Sequence, residues 1–174
     1  MPNGEYVMDS WKIAEVLETA FPGTPSLHLD APALAGVKAA LVAVMPHLVG
    51  IYIPLVPQRI LNEASQPYWY KTRPQWFGMP LDQLAREKGG DPAFQAAAPH
   101  LREATALLRE KSAEGPFFLG ATPSFADFVW AGFLVFFQRI GDDVFQKLID
   151  ATGDRELNLK FLEAVKPWAE RDDH

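Results

Sequence analysis

The run Ser124-Phe125-Ala126-Asp127 carries the most specific polar spacing in the chain. A serine at a helix start can accept from the backbone N–H three residues on, and an acidic side chain there can return to the serine's own N–H. Aspartate stands here in place of the usual glutamate. The helix so opened is apolar, since Asp127 is the single polar side chain from Phe125 to Phe137. Such a helix belongs in the middle of a bundle. A buried start leaves donors that water cannot reach, and each unsatisfied one costs about 1–3 kcal/mol. The pair is therefore expected to be a structural capping box, with the carboxylate occupied rather than catalytic.

A second polar pair, Asp9-Ser10, precedes a helical pattern of Ile13, Val16, Leu17, Ala20 and Phe21. Taken alone it is a helix cap. Four histidines, His28, His47, His100 and His174, show no metal-ligand spacing. No Ser-His-Asp arrangement, phosphate loop or H-E-x-x-H sequence occurs. The chain has no cysteine, which removes a cysteine nucleophile, thiolate metal sites and disulfides, and fits a reducing cytosol.

The elements that must position these residues come from a chain of 174 residues, enough for one domain or one domain with an appendage. Twelve Phe and five Trp point to a ring-rich core or an aromatic pocket. A net charge of -6 and the lack of a Lys/Arg cluster argue against nucleic acid. The opening residues show no basic n-region or apolar h-region, so no signal peptide is expected. From Ala33 to Val56 the clearly polar side chains are Lys38 and His47, a length that could span a bilayer. Pro46 and Pro54 interrupt it and Pro57 follows, so a kinked core helix that breaks near the prolines is expected instead of a membrane span.

Asn3-Gly4 is a hairpin signal and Glu5 to Met8 a short strand pattern, yet only Met1 and Pro2 precede them. Either the turn is a plain surface turn or the protein begins further upstream; the second is the expectation. Pro22-Gly23 ends the first helix, and residues 24–32 form a linker. The aromatic run from Tyr68 to Phe77 makes a short helix closed by Gly78, its cations Lys71 and Arg73 expected in surface or bundle ion pairs rather than as anion-binding groups. Asp91-Pro92 opens a helix to about Lys111, Asp142-Asp143 caps a short one, and Asp154 caps the last. The fold class is all-α, about six helices behind a remnant strand and helix.

A Gly followed by Ser-x-Ala-Asp at a buried helix start resembles the capping signature in the C-terminal domain of glutathione transferases. Asp9-Ser10 is similar to the acidic-then-serine pair that opens the last helix of their thioredoxin-like domain. Thr72-Arg73, Phe77-Gly78, Leu81 and Pro116-Phe117-Phe118-Leu119-Gly120 look most like the fungal etherase-like class. The resemblance covers essentially the whole chain. It implies three parts: residues 1–23 as the end of a truncated thioredoxin-like domain, 24–32 as linker, and 33–174 as the C-terminal helical domain. It also implies that Asp9 and Ser10 hold the γ-glutamyl end of glutathione, the substrate, with no metal. Tyr70, Trp130 and Phe133 become candidate walls of a pocket for a flat aromatic or phenolic electrophile, although packed rings are equally what a helix–helix core contains. The family's catalytic serine, tyrosine or cysteine and its cis-proline loop would lie upstream of Met1. A weakly active or inactive cytoplasmic chain follows, or else a non-catalytic helical module that binds hydrophobic ligands or a partner. A homodimer is the family's common assembly.

Overall fold

The computed structural model describes residues 6–169. Asn3-Gly4, Glu5 and His174 lie outside them. Within that range the chain forms eight helices: α1 (Ser10–Ala20), α2 (Pro32–Arg59), α3 (Gln66–Phe77), α4 (Leu81–Lys88), α5 (Gly90–Glu110), α6 (Phe125–Ile140), α7 (Asp142–Ala151) and α8 (Arg155–Ala169). The expected strand does not form among the described residues. Tyr6, Val7 and Met8 carry no ladder, because a strand needs a partner to receive its backbone hydrogen bonds.

α2 is the central element and packs against α3, α4, α5 and α6. The expected break at its prolines is corrected: Pro46, Pro54 and Pro57 all lie inside one 28-residue helix. An interior proline costs about 3 kcal/mol. Val37, Val44, Leu48, Ile51, Ile53 and Val56 are buried along the same helix, and each such side chain contributes about 1.5–3 kcal/mol. Burial on several sides outweighs the lost hydrogen bonds. By length and composition α2 could cross a membrane, yet here it is the hub of a helical core.

One helix, α4, had no distinct sequence signal. Leu81 and Leu84 of α4 close a small satellite core with Ile53, against which Trp69, Phe77 and Met79 pack. The main core joins α2, α5, α6, α7 and α8 around Trp130, Phe137, Leu48, Leu101, Leu148 and Phe161. Its buried polar hub is Asn158. The side chain accepts from the Trp130 indole N–H at 3.0 Å and donates to Thr105 Oγ1, Thr152 Oγ1 and the Asp154 carbonyl. A satisfied amide at the centre of an apolar bundle fixes the register of α8 on α5 and α6.

α1 is only lightly embedded. Its one buried residue is Ala14, while Ile13, Leu17 and Phe21 are 39, 44 and 46% exposed. The connecting segment holds it in place. Glu18 accepts from the Ser26 hydroxyl and from the Leu27 N–H at 2.7 Å, and the Leu27 carbonyl accepts from the Phe125 N–H at 2.8 Å. These bonds hold the Glu18 carboxyl below its usual range, the Ser26 hydroxyl contributing most.

Candidate functional site

Buried hydrogen bonds converge at the start of α6. Ser124 and Asp127 form the capping box, both 1% exposed or less. Asp127 Oδ2 accepts from the Ser124 N–H and the Ser124 hydroxyl, each at 2.7 Å, and Oδ1 accepts from the Phe118 N–H at 2.9 Å. The Phe118 bond reaches back into the preceding loop. There Phe117 and Gly120 exchange two backbone bonds of 2.9 Å, with Gly120 at φ 74°. The Phe117-Phe118-Leu119-Gly120 run and the Ser-x-x-Asp run are thus one unit. Burial pushes the Asp127 carboxyl above its ordinary value, against the pull of these hydrogen bonds. No atom of it is left for a substrate, so its work is to place α6.

Asp9 caps α1, accepting from the N–H of Trp11 at 2.9 Å and of Lys12 at 3.4 Å. It holds φ 77°, a left-handed value that aspartate tolerates better than most residues but at a cost of about 1–3 kcal/mol. Ser10 stands exposed in the first turn. The Ser10 hydroxyl at a helix N-terminus suits a carboxylate and the second Asp9 oxygen an ammonium, the amides of Trp11, Lys12 and Ile13 being already bonded to Asp9.

Trp11 connects this tip to the bundle. Its ring meets Phe125 edge-on at 5.3 Å, and Lys38 Nζ lies 4.3 Å from the ring centroid. Lys38, Leu41 and Met45 follow one face of α2, and Phe125, Val129, Phe133 and Phe136 follow one face of α6. Leu41, Met45, Val129, Phe133 and Phe136 line an open apolar groove of about 360 Å³ between the two helices. Lys38 and Phe125, which hold Trp11, thus stand about one helical turn before the groove residues on the same faces of α2 and α6.

Of the three expected pocket walls, Phe133 alone lines the groove. Trp130 is wholly buried behind it, stacked on the Phe133 ring at 5.2 Å with its N–H on Asn158, so it belongs to the core. Tyr70 lies on α3, half-exposed and away from the groove. Leu41, Met45, Val129 and Phe136 went unnoticed in the sequence. Their helical spacing is present, but every core helix here has such pairs, and none shows which face is left uncovered. His47 and His100 stack at 5.7 Å, and among the described residues no three His, Asp or Glu gather as a metal site.

Comparison with known proteins agrees with this architecture. The family model for the glutathione S-transferase C-terminal domain matches residues 35–168. The glutathione S-transferase-like protein ustS of Aspergillus flavus is 26% identical over 176 residues, covering 97% of this chain and 63% of the relative. A glutathione S-transferase of Ceriporiopsis subvermispora, solved in complex with glutathione, superposes with a TM-score of 0.76 at 25% identity, over 99% of this chain and 70% of that one. A glutathione transferase of Phanerochaete chrysosporium shares the fold at a TM-score of 0.75 and 22% identity, over 93% of this chain and 65% of that one. The chain thus spans less than two thirds of the curated relative's length. With its helices on that fold and the C-terminal model covering most of its residues, the chain belongs to the glutathione S-transferase family.

Proposed function

We propose that this chain supplies the electrophile-holding part of an etherase-like glutathione transferase. Asp9 and Ser10 would take the γ-glutamyl end of glutathione, and the α2–α6 groove a flat aromatic or phenolic electrophile. The observation that carries the reading is the alignment of the α1 tip, through Trp11, Lys38 and Phe125, with the groove of Leu41, Met45, Val129, Phe133 and Phe136. A polar peptide end and an apolar acceptor would then lie one after the other along α2 and α6. The relative solved with glutathione is consistent with a tripeptide ligand. In this reading the residue that activates the thiol lies upstream of Met1, the setting is the cytoplasm, and the chain alone is weakly active or inactive.

The test is equilibrium binding of S-benzylglutathione against glutathione itself. The tandem arrangement predicts at least tenfold tighter binding of the conjugate, an advantage that Met45→Glu removes while leaving glutathione unchanged. Equal affinities would overturn the tandem site. If benzyl ligands without the peptide bind as well as the conjugate, the chain is a hydrophobic-ligand module instead. Turnover of a generic aryl electrophile by this chain should be near zero, and ordinary transferase rates would refute the upstream placement of thiol activation.

A further inference from the structure

α3 has a composition unlike any other helix in the molecule, with four aromatic residues in addition to Phe77, two cations and no acid in the run Gln66–Phe77. It buries no residue completely. Trp69 anchors it, donating its indole N–H to the Ile53 carbonyl at 3.0 Å and packing on the Leu81–Leu84 cluster. Trp69, Arg73 and Trp76 are spaced i, i+4, i+7 and so share one stripe. The Arg73 guanidinium carbon lies over both indoles, 4.1 Å from the Trp69 centroid and 3.8 Å from that of Trp76, with Tyr68 at 6.0 Å.

The expected ion pair of Arg73 is absent among the described residues. Its Nη1 donates to Thr72 Oγ1 at 3.0 Å, and that hydroxyl donates in turn to the Tyr68 carbonyl at 2.8 Å. Thr72 therefore fixes the plane of a guanidinium whose remaining N–H groups have no protein acceptor among the described residues. A guanidinium carries five donors in a fork that matches a carboxylate. Beside it Tyr68 and Trp76 are 64 and 67% exposed. Lys71 is likewise without a carboxylate partner among the described residues, in a chain whose net charge is -6. A held, part-buried cation between exposed rings is complementary to one kind of occupant, a flat ring bearing an acid.

We propose that the Trp69–Arg73–Trp76 stack of α3 is a binding site for a small aromatic carboxylate, its ring on Trp76 and Tyr68 and its carboxylate on the Arg73 fork. The size of the stripe favours a small molecule over a macromolecule. Tyr68, Trp69, Arg73 and Trp76 span little more than two helical turns, whereas a stable protein interface needs about 800 Å² per partner.

Isothermal titration with 2-naphthoate and with 2-naphthamide tests this. Saturable naphthoate binding at least tenfold tighter than the amide is expected. Arg73→Gln and Trp76→Leu should each weaken naphthoate at least fivefold. Arg73→Lys, which keeps the charge but not the planar fork, should also weaken it. Arg86→Gln, whose parent cation already pairs with Asp82 at 2.7 Å, should leave it unchanged. Helical circular dichroism checks that each variant is folded. Equal affinity for acid and amide, or wild-type binding by Arg73→Gln, would overturn the site. Loss of naphthoate in Met45→Glu would place the ligand in the α2–α6 groove and overturn it equally. So would Trp76-dependent sedimentation with phosphatidylserine vesicles in place of naphthoate binding, which would make the stripe a membrane contact.

Discussion

At Asp127, burial and hydrogen bonding pull the proton affinity of one carboxyl in opposite directions, and burial prevails. Its folded pKa lies above the unfolded value of about 3.9. The folded state thus binds this proton more tightly, and the associated stability is complete below the unfolded pKa and lost as pH rises through the folded one. Asp127→Asn replaces one acceptor with a donor facing the N–H of Phe118 or Ser124. A loss of about 2–4 kcal/mol at neutral pH is expected, from unpaired buried groups. Urea denaturation of both proteins from pH 3 to 7 should show the gap narrowing as pH rises, and a widening gap would contradict the raised pKa. The difference between proteins cancels the opposite contribution of Asp82, Asp143 and Asp154, whose carboxyls are held low chiefly by hydrogen bonds from Arg86, Arg59 and Arg109.

Among the elements, α2 tolerates three prolines but leaves no room at Gly50. A Cβ there would stand 2.2 Å from the Lys88 carbonyl carbon, 2.3 Å from its oxygen and 2.6 Å from the Gly89 nitrogen. All three are backbone atoms and cannot rotate away. Gly50→Ala should therefore cost about 3 kcal/mol by forcing α4 and its junction with α5 off α2. Gly132 on α6 is the control. Nothing lies within 4 Å of its Cβ position, and Gly132→Ala should stabilise by about 0.5–1 kcal/mol through helix propensity. Thermal melts of the two variants should move in opposite directions, and a neutral Gly50→Ala would deny the close approach.

At the scale of the whole molecule, the helices differ in how firmly they are held. α5 buries Ala97, Leu101, Ala104 and Leu108, whereas α1 buries Ala14 and is tied through Trp11 and the Glu18–Leu27–Phe125 relay. Native-state hydrogen exchange should find the α1 amides protected by well under the global stability, and the α5 amides by nearly all of it. Equal protection would mean that the exposed face of Ile13, Leu17 and Phe21 is covered in solution. Association of a second chain there would show as concentration dependence of the exchange.

Local chemistry made part of this legible in the sequence. The Ser124–Asp127 cap, the Asp9 cap, the closure of α3 at Gly78 and the apolar character of α6 each follow from residues within a few positions of one another. Only tertiary packing decided that α2 runs through Pro46, Pro54 and Pro57, because the compensating burial comes from partners far along the chain. It decided also that Phe133 faces an open groove while Trp130 is sealed behind it, and that Arg73 stacks on indoles where an ion pair was expected. Periodicity identifies an apolar face, but whether a neighbour covers that face depends on the helices opposite. For α6, Asn158 of α8 meets Trp130, while Leu41 and Met45 of α2 line the open groove with Phe133.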